Sequence, residues 1–304
     1  MTQLVARAMV LGWLLIGGVL MVGTARAAGL PLTIGSISND PAKEIRRFLP
    51  VAHHLAAQLA SHGIGRGQVV IAANMPEMVN LIKNGQVDLY LDSPLPSVLV
   101  NHLAGSTMAL RRWKKGTVEY SAVVFVKKES PIRELAQLVG KRVAFKDLHS
   151  SSSYLLPRIA MEQAGLQMVE LADGREDMPA GKTGYLFTND RETSLFWVAM
   201  GKVDAGAMSR EELAKQARGE MDQLRVIHET VAIPRHVVNL RGDLPAPLAR
   251  DLVQALLGME QDATGKRLLG DFEHTTRFDP VPPQTLARLR EMTPAILAIL
   301  GESP

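Results

Sequence analysis

The stretch Phe145-Lys-Asp-Leu-His-Ser-Ser-Ser-Ser-Tyr-Leu-Leu-Pro157 joins a predicted strand to a predicted helix. Before it, Gly140-Lys-Arg-Val-Ala-Phe145 is a short apolar and β-branched run, which is typical of a strand. After it, apolar residues recur at helical spacing as far as Gly165: Leu155, Leu156, Ile159, Ala160 and Ala164. Ser150 to Ser153, here called the serine tetrad, therefore stand where a strand ends and a helix begins.

The position of the serine tetrad favours binding of an anion. A helix start has backbone N–H groups without intrahelical partners, and it carries the positive end of the helix dipole. Serine hydroxyls add hydrogen-bond donors in a small volume. The alternative is that Ser150 or Ser151 only caps the helix. Because a single serine is enough for a cap, four in a row favour an anion site.

The composition is that of an ordinary globular protein. The chain has 304 residues, of which 46% are hydrophobic and 21% charged. Its formal charge is +3, but the first 27 residues contribute Arg7 and Arg26 and no acidic residue. The remainder therefore carries 3 − 2 = +1. This near-neutral charge argues against nucleic acid as a partner.

The first 27 residues are typical of a secretory signal peptide. Arg7 precedes an uncharged apolar run from Ala8 to Gly23, and Ala25-Arg-Ala27 fits a cleavage site before Ala28. A retained membrane anchor is the alternative, but a full span needs roughly 20 apolar residues. The chain has no cysteine, which excludes disulfides, thiolate metal sites and a lipid-modified cysteine. We expect a soluble protein exported to the periplasm.

Strands and helices alternate along two parts of the chain, which predicts an α/β fold of two lobes. Each lobe is expected to be a mostly parallel sheet flanked by helices, with a helical C-terminal tail from Pro245 onward. Chain crossings near Tyr120 and Glu229 would divide the protein into a signal peptide and three further segments. These segments are the first part of lobe 1 (28–120), lobe 2 (121–228), and a return to lobe 1 with the C-terminal helices (229–304).

Polar residues follow several of the predicted strands. In open α/β sheets, ligands bind at the carboxyl ends of the strands. We therefore expect these polar residues to face a cleft between the lobes together with the serine tetrad: Ser36, Ser38, Asn39, Asp92, Ser93 and Ser209. The basic run Arg111-Arg-Trp-Lys-Lys115 is interpreted as a solvated edge rather than a nucleic-acid contact.

Motifs of common enzyme classes are absent from the sequence. Gly63-Ile-Gly-Arg-Gly67 lacks the spacing of a dinucleotide fingerprint, and Thr264-Gly-Lys266 lacks the first glycine of a P-loop. Neither a Gly-x-Ser-x-Gly elbow nor a His-Glu-x-x-His helix occurs. An enzyme on this fold would have only His149, with Asp147 or Asp92, as an acid–base pair. The sequence predicts a binding protein without a cofactor.

Three other stretches of the sequence together resemble motifs of the phosphate, phosphite and phosphonate-binding proteins of ABC transporters, a branch of the type II periplasmic binding fold. Val126-Lys-Lys-Glu-Ser130 followed by residues 138–145 is similar to the entry into the second lobe of that family. Asp147 to Pro157 resembles its anion loop, Asp-Pro-x-Ser-Thr-Ser-Gly-x-Leu-x-Pro. Gly201-Lys-Val-Asp-Ala-Gly206 resembles its Gly-x-Val-Asp-Ala strand entry. The likeness extends over about residues 31 to 293.

The resemblance implies roles for particular residues. Ser150, Ser151 and Ser152 would hold the phosphoryl oxygens, and Ser153 stands where the family often has glycine. Arg191 takes the position of a histidine that helps hold the phosphoryl group. An arginine there would grip an oxyanion with two hydrogen bonds, and the alternative is a surface arginine. Asp92 stands where relatives tend to carry an aromatic hydroxyl, and the alternative is a helix cap.

The resemblance also implies a function. The expected protein is a monomeric solute-binding component that closes on a small phosphorus oxyanion or organophosphonate and delivers it to an inner-membrane ABC permease. A sensor that reports the same ligand to a membrane signalling partner is the alternative. A carboxylate such as Asp92 would repel an oxyanion unless it accepts a proton from the ligand or meets a cationic substituent.

Overall fold

The computed structural model describes residues 29–173, 176–216 and 223–301. The predicted signal peptide lies outside the described residues. The strands are β1 Leu30–Ile37, β2 Ile64–Ala72, β3 Leu89–Asp92, β4 Thr107–Lys114, β5 Glu119–Tyr120, β6 Ala122–Lys127, β7 Arg142–Phe145, β8 Met168–Glu170, β9 Thr183–Phe187, β10 Ala205–Ser209, β11 Leu224–Glu229, β12 Ile233–Pro234, β13 His236–Leu240 and β14 Thr275–Pro280. The α-helices are α1 Pro41–Gln58, α2 Met75–Lys83, α3 Pro94–Ala104, α4 Leu156–Gln163, α5 Arg191–Ala199, α6 Arg210–Gln216, α7 Ala246–Gly258, α8 Ala263–Asp271 and α9 Pro283–Leu300.

The first lobe is built on a mixed sheet with the strand order β14-β4-β13-β3-β1-β2. β1 is parallel to β2 and β3, whereas β13 runs antiparallel to β3 and β4, and β14 runs antiparallel to β4. The ends of β1, β3 and β4 therefore meet the starts of β13 and β14 along one edge. Helices α1, α7 and α8 bury an apolar cluster that includes Leu32, Leu55 and Leu252 against this sheet.

The second lobe is built on a mixed sheet with the order β11-β6-β10-β7-β9-β8. The strands β10, β7, β9 and β8 are parallel, and β6 runs antiparallel to β10 and β11. The five residues of β6 from Ala122 to Val126 are completely buried, because helices cover both faces of the sheet. The two-lobed α/β fold expected from the sequence is confirmed.

The two chain crossings lie side by side. β5 lies where the chain leaves lobe 1, after β4, and β12 lies where the chain comes back to lobe 1, before β13. The two short strands pair with each other through Tyr120 and Ile233. At the same place, the Ser121 hydroxyl donates a hydrogen bond of 2.5 Å to Glu229, which also forms an ion pair with Arg210. The two adjacent crossings join the lobes, and one buried apolar cluster with Leu99, Val124 and Phe145 among its members spans both of them.

Two expectations from the sequence are wrong. Arg111 to Lys115 is not a solvated edge, because β4 lies between β13 and β14 and the side chain of Arg112 is only 1% exposed. The C-terminal tail is helical in α7, α8 and α9 as expected, but the expectation of helices alone is wrong, because β14 adds an edge strand to the first sheet. Among the described residues, none of the helices combines the length and the apolar character that crossing a membrane requires.

Candidate functional site

A cleft of about 1170 Å³ lies between the facing edges of the two sheets. Nine of the eleven predicted site residues line it: Ser38, Asn39, Asp92, Ser93, Ser150, Ser151, Ser152, Arg191 and Ser209. The other two do not. Ser36 lies inside β1, which continues to Ile37, and it is buried. Ser153 is completely buried, and its hydroxyl has no hydrogen-bond partner.

The serine tetrad begins the helix with a π-helical turn, Ser151–Leu155, which continues into α4. The Ser150 hydroxyl accepts a hydrogen bond of 3.1 Å from the amide of Ser153, and the amide of Leu155 donates to the carbonyl of Ser150 at 3.0 Å. Ser150 is therefore the cap, as the alternative interpretation supposed for one serine. The amides of Ser151 and Ser152 stand at the helix start, where intrahelical partners are lacking.

Ser151 connects the two lobes. Its hydroxyl accepts a buried hydrogen bond of 3.3 Å from the amide of Leu95, at the start of α3 in the first lobe. Its own proton is left to donate, as in any hydroxyl that accepts one bond. Ser152 also borders the cleft and is 8% exposed. The tetrad therefore brings both hydroxyl and backbone donors to one wall of the cleft.

Arg191 is the first residue of α5, and Asp190 caps this helix by accepting a hydrogen bond of 2.8 Å from the amide of Thr193. The side chain of Arg191 is half-buried and borders the cleft rather than the outer surface. Its Nε is buried and has no hydrogen-bond partner. A buried guanidinium N–H without a partner is costly, so this donor suits an oxyanion bound in the cleft.

Tyr120 lies beside Ser151 and Arg191 and also lines the cleft, although no sequence motif singles it out as a site residue. Burial raises the pKa of Tyr120 to about 12. Its hydroxyl therefore stays protonated and able to donate at physiological pH.

Asp92 ends β3 on the opposite wall. One carboxylate oxygen accepts 2.6 Å and 3.2 Å hydrogen bonds from the amide and hydroxyl of Ser93, and the other accepts one of 2.8 Å from the Tyr90 hydroxyl. Burial raises the pKa of Asp92, while these bonds and the nearby His149 oppose the shift. The N-cap of α3 is Ser93. Asp92 thus places a hydrogen-bond acceptor on the wall that faces the serine tetrad.

The remaining predicted residues have local roles. The Ser38 hydroxyl accepts a hydrogen bond of 3.1 Å from the amide of Asp40, and Asn39 is exposed at the cleft edge. The Ser209 hydroxyl accepts one of 3.2 Å from the amide of Glu212 at the start of α6. Ser38 thus stabilises the turn before α1, and Ser209 stabilises the start of α6.

The first lobe contains an ion-pair network that was not predicted from the sequence. Glu273, which precedes β14, accepts hydrogen bonds of 2.8 Å from both Arg112 and Lys114 and one of 3.1 Å from Arg47. Arg112 also donates to the Thr275 hydroxyl at 2.8 Å. All the charged members except Arg112 line the cleft. Pairing with a residue so far along the chain is not visible in a local sequence pattern.

The comparisons with known proteins agree with this architecture. A family model described as "ABC transporter, phosphonate, periplasmic substrate-binding protein" matches residues 34–286. Among solved structures, XAC2383 from Xanthomonas citri matches with a TM-score of 0.83 in two forms. The ATP-bound form is 24% identical and covers 90% of this chain and 99% of its own. The chloride-bound form is 25% identical, with coverages of 89% and 99%.

Two other solved structures share the fold at lower identity. PhnD1 from Prochlorococcus marinus, in complex with methylphosphonate, is 20% identical, covers 90% of this chain and 99% of its own, and has a TM-score of 0.61. A putative sulfonate-binding protein, SsuA from Methylobacillus flagellatus, is 15% identical, covers 90% and 88%, and has a TM-score of 0.56. Since the family model spans most of the chain, this protein belongs to the periplasmic substrate-binding proteins of ABC phosphonate transporters.

Proposed function

We propose that this protein binds a phosphonate, or a closely related phosphorus oxyanion, between its lobes and presents it to an ABC permease. The observation that carries the proposal is that Ser150, Ser151 and Ser152 line the same cleft as Arg191, whose buried Nε has no hydrogen-bond partner. The helix start supplies N–H donors and a favourable dipole, and Ser151 and Ser152 supply hydroxyls. Arg191 supplies a permanent positive charge.

Asp92 supports a phosphorus oxyanion over a sulfonate. A phosphonate monoanion carries a P–OH group that can donate to a carboxylate, whereas a sulfonate has no proton to give at neutral pH. A second anion beside a buried carboxylate is strongly unfavourable unless a proton lies between them. A ligand held by the tetrad and facing Asp92 should therefore be one that still carries a proton or a cationic group.

Binding would proceed with closure of the lobes about the paired crossings, because the groups that face one ligand come from both lobes. Transport is favoured over sensing by membership of a transporter family. We also propose that the protein works as a monomer, since both walls of the cleft come from one chain.

The direct test is calorimetric titration of the purified, ligand-stripped protein. The panel comprises methylphosphonate, phosphate, phosphite, ethanesulfonate and ATP, the last because one structure of XAC2383 contains it. We expect saturable binding of at least one phosphorus oxyanion and weaker binding of ethanesulfonate. Tighter binding of the sulfonate would contradict the proposal, and so would the failure of every phosphorus compound to bind.

A further inference from the structure

The charged network of the first lobe lies on the same sheet edge as Asp92 but two strands away. The order β3-β13-β4 places the end of β4 about 10 Å from the end of β3, at roughly 4.8 Å per strand. Lys114 and Lys115 stand at this end and line the cleft together with Arg47. The cleft volume of about 1170 Å³ exceeds the range of roughly 300–1,000 Å³ that is usual for pockets of drug-sized ligands.

The partly desolvated network contains more positive than negative charge. Arg112, Lys114 and Arg47 surround Glu273, and Glu44 pairs with Arg47 at 2.9 Å. Three cations thus face two carboxylates. Burial, together with the positive charge of Arg112, lowers the pKa of Lys114 to about 8 despite the attraction of Glu273. An additional anion at this place would stabilise the protonated lysine.

Lys115 adds a charge that the network does not use. It is exposed, and it forms no ion pair within the described ranges 29–173, 176–216 and 223–301. Its φ is +56°, and those of Glu273 and His274 are +54° and +56°. All four described non-glycine residues in this left-handed region, including Asn189, line the cleft. Such unfavourable backbone conformations concentrate at functional sites.

We propose that Lys114, Lys115 and Arg47 form a second anion subsite, so that the ligand is an elongated phosphonate or phosphate ester with a second acidic group several bonds away. The phosphoryl group would occupy the serine tetrad and Arg191, and the second acid would reach the end of β4. This inference rests on the proposed function, which supplies the first anion site. A purely structural network, holding β14 and α1 to β4, would bind no ligand group.

The test compares ligands of matched length. Plain alkylphosphonates from ethylphosphonate to hexylphosphonate are titrated against ω-carboxyalkylphosphonates from phosphonoacetate to 6-phosphonohexanoate. We expect at least one carboxylated compound to bind about tenfold or more tightly than its plain counterpart, as for a hydrogen bond between charged groups. 2-Aminoethylphosphonate, which ends in a cation, should gain no such advantage.

Two variants test whether the tighter binding of carboxylated ligands comes from the second anion subsite. Lys115→Gln removes an exposed, unpaired charge, and Lys128→Gln removes an exposed lysine at the far end of β6 as a matched control. The affinity ratio of carboxylated to plain ligand should fall toward one in Lys115→Gln and persist in Lys128→Gln.

The outcomes separate the two proposals. If alkylphosphonates bind and the ratio is near one at every length, the second subsite is wrong while the proposed function stands. If the ratio is large but is unchanged in Lys115→Gln, the subsite is misplaced and the inference is overturned. If no phosphonate of either series binds, the second subsite is overturned, and the proposed function is overturned with it only if phosphate and phosphite also fail to bind.

Discussion

Asp92 ends β3 at the cleft, with Tyr90 and Ser93 already hydrogen bonded to its two oxygens. A carboxylate so placed selects between anions by whether they can share a proton with it. Residues of this kind act on specificity more than on stability, because they penalise the wrong ligand as well as accommodating the right one.

Replacement of this carboxylate should change the preference of the cleft. In Asp92→Asn, we expect the ratio of ethanesulfonate to ethylphosphonate affinity to rise roughly tenfold or more, because the repulsion of the sulfonate is removed. Calorimetric titration of both ligands measures the ratio. Asp243→Asn, an exposed carboxylate outside the cleft, is the matched control. An unchanged ratio in Asp92→Asn would show that Asp92 does not face the ligand.

The π-helical turn at the start of α4 determines what each serine can do. Its i→i+5 hydrogen bond, from the amide of Leu155 to the carbonyl of Ser150, rotates the following residues relative to a regular α-helix. Ser150 becomes the cap, Ser151 reaches Leu95 in the other lobe, and Ser153 turns into the protein interior. Four neighbouring serines thus have different surroundings.

These surroundings predict different effects on stability. Ser150→Ala should lower the free energy of unfolding by about 1 kcal/mol, the usual loss when a helix cap is removed. Ser153→Ala should leave it unchanged within about 0.5 kcal/mol or raise it, since its buried hydroxyl has no partner to lose. Urea unfolding without ligand measures both. A larger loss in Ser153→Ala than in Ser150→Ala would contradict the described turn.

Much of the element pattern could be predicted from the sequence, and the failures have a physical cause. The strand that ends at Phe145 and the helix that follows the serine tetrad both follow from local apolar spacing. β4 could not be found in this way, because an inward-facing position holds Arg112, whose partners Glu273 and Thr275 come much later in the chain. Alternation of apolar and polar residues is lost when a buried position is charged.

The sequence indicated which segments border the cleft, but it did not indicate which side chains in those segments face it. Polar residues after strands, such as Ser38 and Ser93, do line the cleft. The extension of β1 to Ile37, which buries Ser36, and the π-helical turn, which buries Ser153, depend on tertiary packing. Periodicity in one segment carries no information on either.

The whole molecule consists of two lobes connected by the paired strands β5 and β12. We propose that they comprise residues 28–120 with 229–304, and residues 121–228, and that they close about this connection. A buried hydrogen bond from Leu95 to Ser151 already joins the lobes next to the proposed anion site. Ligand held by both walls should therefore stabilise both lobes together.

Two tryptophans report on this coupling, Trp113 in β4 and Trp197 in α5. The variants Trp113→Phe and Trp197→Phe each retain one of these two reporters. In both variants, methylphosphonate at a hundred times its Kd should raise the free energy of unfolding by about 2.7 kcal/mol. The two fluorescence transitions in urea should shift equally. A shift confined to Trp197 would mean that the ligand contacts only the second lobe.

The proposed function depends most on one contact, the binding of the phosphoryl group by the start of the π-helical turn and Arg191. Its most direct test is calorimetric titration of methylphosphonate into the wild type and into Ser152→Ala, Arg191→Ala and Ser153→Ala. Ser152→Ala and Arg191→Ala should each weaken binding by about 1.5–3 kcal/mol, the range for hydrogen bonds to charged groups, while Ser153→Ala binds as the wild type does. Equal affinity in all four proteins would contradict the account.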